Sequence, residues 1–429
     1  CQMNEYDAMK MADVMCHHKD MEVTSEESKA DVFLLNTCSI REKPQEKVFH
    51  QLGRWKAYKD KNPQIVIGVG GCVASQEGSA IIKRAPYVDM VFGPQTLHRL
   101  PSMYDQVIST RDPIVDISFP KIEKFNHLPK TKNIKASAFV SIMEGCSKFC
   151  TFCVVPYTRG LEVSRLPEQI LDEIKDLAGK GVREINLLGQ NVNAYRVKDI
   201  SGKRLKLSDL IEKVTEIEGI DRIRFTTSHP LQFTDDLVAA YNHPKLANYL
   251  HLPIQSGSNR ILKLMHRKHN VQLYIDRISK LRALRPNISI ASDFIVGFPG
   301  ETEDDFQETL NVIEEVGFDQ SFSFIYSPRP QTPAALMDDD VSYQEKLERL
   351  NRLQSRIKAN TLKISKEMIG TDQTILVEKL SKKMNKQISG RTENNRWVNF
   401  DGPSSLIGQF IKLRITEALS NSLRARIIN

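Results

Sequence analysis

Three cysteines, Cys146, Cys150 and Cys153, stand in the run Cys-Ser-Lys-Phe-Cys-Thr-Phe-Cys, a C-x3-C-x2-C spacing. Three thiolates so close in sequence suit three irons of a four-iron cubane, whose full protein ligation takes four cysteines. The fourth iron is then left open to a substrate or cofactor, by the logic that keeps a position open on catalytic zinc. Incomplete ligation points to chemistry more than to stapling. Zinc is the main competing reading. A structural zinc site usually takes four ligands in two C-x2-C pairs, and this run offers one pair and an outlier. A thioredoxin-like Cys150/Cys153 pair fits less well still.

The elements that must position this triplet come next. It directly follows a strand-like apolar run, residues 138–143, and so falls in a βα loop. With 429 residues the chain is long enough for several domains and a large core. Hydrophobic residues make up 40%, charged residues 26%, and the mean hydropathy is -0.36, an ordinary globular composition. No apolar run approaches the roughly 18 residues of a membrane helix, and no signal-peptide pattern opens the chain. Seven cysteines, an odd number, fit a reducing cytoplasm better than a disulfide framework. The net charge of +7 is mild, so its distribution matters more than its size. The chain opens on Cys1, and a strand leading into it is expected upstream.

Residues 1–120 read as a doubly wound parallel sheet. Residues 32–35, 65–67 and 88–92 are continuous apolar runs, as strands buried on both faces should be, with helical patterns near 5–16 and 43–58 between them. Sites in such sheets form outside the carboxyl ends of strands. Cys38 and Cys72 each follow a strand end, and Cys1 opens the polar stretch before the first helix. Three cysteines scattered in sequence are thus expected on one sheet edge, as a second cluster site. The bland alternative for each is a small buried residue. Cys16, inside an amphipathic helix, is expected in the core.

Residues 121–136 are basic and turn-rich and read as a linker. From 137 to 364 the βα rhythm resumes, with strands near 138–143, 183–188, 222–227, 249–253, 288–296 and 319–325. Helical stripes such as Leu166, Ile170, Ile174 and Leu177 lie between them. The pattern predicts a partial (β/α)6 barrel with its site at the strand carboxyl ends. Residues 365–429 change to short β-rich runs, a small β-barrel. From Lys366 onward eleven Lys/Arg face six Asp/Glu, so this tail carries most of the net charge. Basic strands with Trp397, Phe400 and Phe410 suit an RNA-binding barrel or, equally, a solvated surface over an aromatic core.

The chain resembles the methylthiotransferase family of radical S-adenosylmethionine (SAM) enzymes, within it the MiaB type that modifies tRNA. The resemblance rests on Ser141-Ile-Met-Glu-Gly-Cys146 and Cys153-Val-Val-Pro-Tyr-Thr-Arg-Gly160, far more specific than the triplet alone. Cys1-Gln-Met-Asn4, Asn36-Thr-Cys-Ser-Ile40 and Gly71-Cys-Val-Ala74 resemble that family's first domain. Leu188-Gly-Gln-Asn-Val-Asn193, Leu252-Pro-Ile-Gln-Ser-Gly257 and Phe294-Ile-Val-Gly-Phe-Pro-Gly-Glu301 resemble its barrel, and the basic tail its RNA-binding TRAM domain. The sequence departs from the family pattern at Leu166 and Gln331, where proline and glycine are usual, and at Pro44, where alanine is common.

The resemblance implies two [4Fe-4S] clusters. One on Cys146, Cys150 and Cys153 would cleave SAM to a 5′-deoxyadenosyl radical. The other, on Cys1, Cys38 and Cys72, would supply the sulfur that a second SAM methylates. The implied substrate is N6-isopentenyladenosine at tRNA position 37, attacked at C2. That unactivated C–H has no acidic proton, so a radical generator suits it. The implied alternatives are a ribosomal-protein aspartate and N6-threonylcarbamoyladenosine in tRNA. An external electron donor and sulfur source, a monomeric state and no membrane partner complete the expectation. Gln255, Ser256 and Gly297, at predicted strand ends, are candidate SAM contacts, each of which also reads as a plain turn residue. Gln190 and Asn191 are possible polar contacts. Arg159 is either a SAM or phosphate contact or a loop salt bridge. His229, His251, His266 and His269 read as surface or capping residues.

Overall fold

The computed structural model describes residues 2–19, 21–39, 43–120, 123–131, 135–381 and 387–428. The chain divides into two compact units. The first comprises Cys1–Asn133, Met143–Arg165 and Ser327–Ala335; the second comprises Ile134–Ile142, Leu166–Tyr326 and Leu336–Asn429.

In the first unit, α1 (Gln2–Cys16), β1 (Val32–Thr37), α2 (Lys43–Lys61), β2 (Val66–Gly71), α3 (Cys72–Glu77), α4 (Ser79–Arg84), β3 (Met90–Phe92), α5 (Leu100–Thr110) and β4 (Ile114–Asp116) alternate in the expected rhythm. The strands pair in parallel in the order β1-β2-β3-β4. Both faces are covered, which is why the strand sequences are continuously apolar. Phe33, Ile67, Val69 and Val91 pack with Leu52 and Trp55 of α2 and Ile81 of α4. Val66, Met90 and Phe92 pack with Met11 and Val14 of α1 and Leu100, Met103 and Val107 of α5. Strand β4 escapes a sequence reading because it is a short edge whose Val115 is exposed. The stretch read as a linker carries a short helix, α6 (Glu123–His127), whose Lys124 is buried. After β5 (Ser137–Ser141) of the second unit, β6 (Met143–Glu144), α7 (Val155–Arg159) and β7 (Val163–Ser164) belong to the first.

The second unit continues with α8 (Pro167–Gly179), β8 (Glu184–Leu188), the antiparallel pair β9 (Arg196–Lys198) and β10 (Arg204–Lys206), α9 (Leu207–Thr215), β11 (Arg222–Phe225), α10 (Asp235–Ala240) and β12 (Tyr249–His251). Then come α11 (Asn259–Leu264), α12 (Val271–Leu284), β13 (Ser289–Ala291), β14 (Asp293–Val296), α13 (Glu303–Val316), β15 (Phe322–Ile325) and α14 (Tyr343–Glu367). Strands β5, β8 and β11 form one parallel sheet, while β12 with β13 and β14 with β15 are parallel pairs. The six expected strand positions are all present, the fifth split into β13 and β14. Ile170, Ile174 and Leu177 of α8 are buried as the stripe predicts, but Leu166 is 42% exposed. It occupies the extended capping position before Pro167, one turn short of the helical face. Helix α13 starts from a capping box: Thr302 Oγ1 accepts from the Asp305 amide, and Asp305 accepts from the Thr302 amide at 2.9 Å.

Strands β16 (Asp372–Leu380), β17 (Gln387–Arg391), β18 (Trp397–Asp401), β19 (Phe410–Ala418) and β20 (Leu423–Ile427) close the expected small barrel in the order β16-β17-β18-β20-β19. Its core is Ile375, Val377, Ile388, Val398, Phe400, Leu413, Ile415 and Leu423. Buried charge joins it to the parallel strands. Arg396 forms a bidentate pair with Asp319, both nitrogens at 2.6 Å and both side chains 1% exposed. Arg224 and Arg222 share the Glu184 carboxylate and also donate to the backbone carbonyls of Arg391, Thr392 and Glu393. Burial alone would raise the Glu184 carboxyl, but the two guanidiniums win and hold it at about 2.

Candidate active site

The triplet sits in a loop closed by its own ends. Strands β6 and β7 pair antiparallel, Met143 opposite Ser164 and Glu144 opposite Val163. Just inside that clasp the Cys146 amide donates to Gly160 O at 3.1 Å. The Cys153 amide donates to Cys150 O at 2.9 Å, and the Ala334 amide to Thr151 O at 2.9 Å. Gly145 is required: its φ is +77°, and a Cβ there would lie 2.0 Å from Leu161 O. Between the first two cysteines Phe149 takes φ 50°, a left-handed conformation uncommon outside glycine, which turns the chain within the triplet. Gln331, where the family pattern has glycine, also keeps a left-handed φ of 68°. Cys150 is buried, while Cys146 and Cys153 are half-buried. Burial pushes the Cys146 thiol up to about 11, although a hydrogen bond from the Lys148 amide pulls the other way. That thiol keeps its proton until a metal displaces it.

The second set is built by strand register. Thr37 pairs with Gly71 at the last step of β1 and β2, so Cys38 and Cys72 leave neighbouring strands at matching positions. Thr37 Oγ1 donates to Gly70 O at 2.6 Å and accepts from the Ala74 amide at 3.3 Å, fastening the two loops. Asn36 Nδ2 donates to Asn4 O at 2.7 Å, which ties the start of α1 to the same edge. Gly71 has φ +95°, and a Cβ there would sit 2.3 Å from Thr37 O. Cys1 lies outside the described residues. Cys16, expected in the core, is half-buried at the end of α1.

The described cysteines have the ligand chemistry that iron–sulfur clusters take. All six described cysteines are reduced, and soft thiolates are the ligands such clusters take. Among the described residues no three His, Cys, Asp or Glu side chains converge as ligands of one metal ion would. A cubane asks for another arrangement, one thiolate to each of three irons.

Sequence reasoning missed a buried ring of charge in this unit. Lys124 Nζ lies 3.0 Å from Asp7 Oδ1 and 2.9 Å from Glu144 Oε2. Arg159 donates to Asp7 Oδ2 at 2.5 Å and Glu144 Oε1 at 2.7 Å. Of the two readings of Arg159, the structure shows the salt bridge. Burial pushes Asp7 up, but Arg159 and Lys124 outweigh it and hold the carboxyl below its usual range. Burial likewise works against the charged Arg159; Asp7, the nearby Cys72 and Glu144 win and raise it. The one sequence signal was Glu144, a carboxylate at the end of an apolar strand run.

In the second unit the candidate SAM contacts stand at strand carboxyl ends with chain partners of their own. Gln255 has φ 79°, donates from its amide to Asp293 O at 2.9 Å and accepts from the Ile295 amide at 2.9 Å. Ser256 Oγ accepts from the Ser258 amide at 3.2 Å and lies 3.4 Å from Thr309 Oγ1. The Gly297 amide donates to Glu301 Oε1 at 2.8 Å, and a Cβ there would meet Lys346 Cγ at 2.2 Å. Asn191 Nδ2 donates to Gln232 Oε1 at 2.8 Å. The histidines divide. His266 is exposed, and His229 and His251, though buried, cap the Leu231 and Thr227 amides, each at 3.2 Å, as expected. His251 also lies 3.1 Å from Asp293, while His269 is buried instead, and burial drives it down to about 3.

On the small barrel, Phe400 is core. Trp397 is half-buried between Lys379 Nζ at 3.9 Å and the Arg391 guanidinium at 4.4 Å from its ring centre. Phe410 faces Arg222 at 4.9 Å.

Comparison with known proteins places these features in a family setting. Residues 140–313 match the Radical SAM superfamily, residues 1–93 the Uncharacterized protein family UPF0004, and residues 366–428 the TRAM domain. A tRNA-2-methylthio-N(6)-dimethylallyladenosine synthase of Chromohalobacter salexigens is 60% identical over 99% of this chain and 96% of its own length. The protein of that name from Pseudoalteromonas translucida is 61% identical, over 100% of this chain and 89% of its own. Among solved structures, the radical SAM methyltransferase TsrM of Kitasatospora setae shares the fold at a TM-score of 0.55, with 12% identity over 78% of this chain and 66% of that one.

Proposed function

Because the chain belongs to the tRNA-2-methylthio-N(6)-dimethylallyladenosine synthase family, we propose that Cys146, Cys150 and Cys153 hold the SAM-cleaving cluster and Cys1, Cys38 and Cys72 the sulfur-supplying one. The activity is radical SAM methylthiolation of tRNA at C2 of dimethylallyladenosine, with SAM and [4Fe-4S] clusters as cofactors. When bound, the clusters supply the electron that splits SAM and the sulfur that is installed.

The chain's own residues bind and position. The clasp of β6 and β7 holds the triplet as one loop. Thr37 and Asn36 knit the start of α1 and the loops carrying Cys38 and Cys72 into one edge. That edge carries the reading, since thiols far apart in sequence are held together by register and side-chain bonds. Gln255, Ser256 and Gly297 are the proposed SAM contacts, supported by their place at strand carboxyl ends. The closed β-barrel, with its excess of basic residues and Trp397 between two cations, is the proposed tRNA grip. The adenosine at position 37 of the anticodon loop is the proposed target. Electrons and sulfur come from external donors, and the enzyme works as a cytoplasmic monomer.

The deciding experiment supplies reconstituted full-length protein with SAM, a reductant and tRNA carrying dimethylallyladenosine, then weighs the nucleosides by mass spectrometry. The 2-methylthio product is expected. Modification of threonylcarbamoyladenosine or a ribosomal-protein aspartate in its place would overturn the substrate.

A further inference from the structure

Four buried side chains form a closed ring in the first unit: Asp7 of α1, Lys124 of α6, Glu144 of β6 and Arg159 of α7. Each cation bonds both carboxylates, at 2.5 to 3.0 Å, and no member is more than 3% exposed. Two positive and two negative charges leave no net charge over. The ring is therefore a poor anion site, since each cation is already neutralised by two carboxylates. Burying four charges is costly, and such clusters commonly give no more stability than apolar packing of the same volume. What they do impose is geometry, because every member must meet its partners for any of them to stay charged.

The ring's position gives that geometry a use. Glu144 lies two residues before Cys146, and Arg159 ends the short helix that follows Cys153, so both ends of the triplet loop are anchored. Asp7 sits in the second turn of α1, the helix that starts at the other thiol edge and is bonded to it through Asn4 and Asn36. Helix α7 also packs against α3, which begins at Cys72. We propose that the Asp7–Lys124–Glu144–Arg159 ring is a positioning device that sets the separation of the two cysteine sets, so that SAM cleavage is followed by sulfur transfer. This rests on the two-cluster reading above. The ring's side chains bond one another, so its loss uncouples the two events rather than stopping the first.

The test uses full-length reconstituted protein carrying Asp7→Asn, and separately the charge-balanced pair Asp7→Asn with Lys124→Met, which leaves one intact Arg159–Glu144 bridge. Three quantities are read: iron per chain, 5′-deoxyadenosine formed per methylthiolated adenosine, and magnetic coupling between the reduced clusters by electron paramagnetic resonance. Expected are unchanged iron, 5′-deoxyadenosine formation within about twofold of the parent, and a rise of about tenfold or more in 5′-deoxyadenosine per product, since sub-ångström to ångström displacements carry penalties of that order. The coupling changes as well. Unchanged ratio and coupling overturn the inference. So does a parallel fall of both products that tracks the melting temperature of the cluster-free protein, which is a purely structural role; the balanced pair serves if the single variant does not fold. A parent with only one cluster, or no methylthiolated product, would instead overturn the underlying two-cluster reading.

Discussion

The two thiol edges of the first unit reach similar ends by different means. The triplet is local: its cysteines share one loop, and the clasp of β6 and β7 draws on residues just outside it. The other edge is tertiary, since Cys38 and Cys72 come together only when β1 and β2 pair in one register. Each edge places a left-handed glycine directly before a cysteine. A Cβ on Gly145 would strike Leu161 O within the same loop, whereas a Cβ on Gly71 would strike Thr37 O on another strand. A local site can keep its shape when distant parts loosen; a register-built site fails with its sheet.

The largest expected effect separates the two sets outright. Replacing Cys146, Cys150 and Cys153 with alanine should abolish 5′-deoxyadenosine formation and lower iron from about eight to about four per chain, the content of one remaining cluster. Cys72→Ala should do the reverse, cleaving SAM without making methylthiolated tRNA. If Cys72→Ala also stops SAM cleavage, the edges do not act separately and the comparison fails.

Steric variants sharpen it. Gly71→Ala should cost about 3 kcal/mol or more, because strained φ and a backbone clash add, and should remove iron from the register-built edge alone. Gly145→Ala should impair only the triplet. Urea unfolding together with iron analysis distinguishes these outcomes; equal iron loss at both edges in either variant would show one cooperative site. The smallest effect belongs to Thr37→Val, which keeps shape but leaves Gly70 O and the Ala74 amide without their hydroxyl partner. A loss of about 1–2 kcal/mol in the same unfolding experiment is expected, with SAM cleavage untouched.

Much of this was legible in advance because it depends on short spacings and local periodicity. Continuous apolar runs betray strands buried on both faces, as the two cores around β2 show. The stripe of α8 was legible too, but its first residue was not, since Leu166 is an exposed cap rather than a helical position. Strand β4 was too short and too exposed to stand out. His229, His251 and His269 carried no sequence mark of burial, which comes from neighbours supplied by other strands and loops.

The sequence by itself determined the cluster chemistry, the order of βα units and the basic β-barrel, because thiol spacing, apolar periodicity and charge composition are all properties of neighbours in the chain. Only the tertiary structure decided which charges are buried and with whom. Lys124 in a basic, turn-rich stretch and Asp7 as a carboxylate among the polar positions of an amphipathic helix look like solvated residues. They become one ring with Glu144 and Arg159 only when four separate segments converge. The reason is physical: taking a charge out of water is unfavourable unless its partner is already in place, and that partner lies elsewhere in the chain.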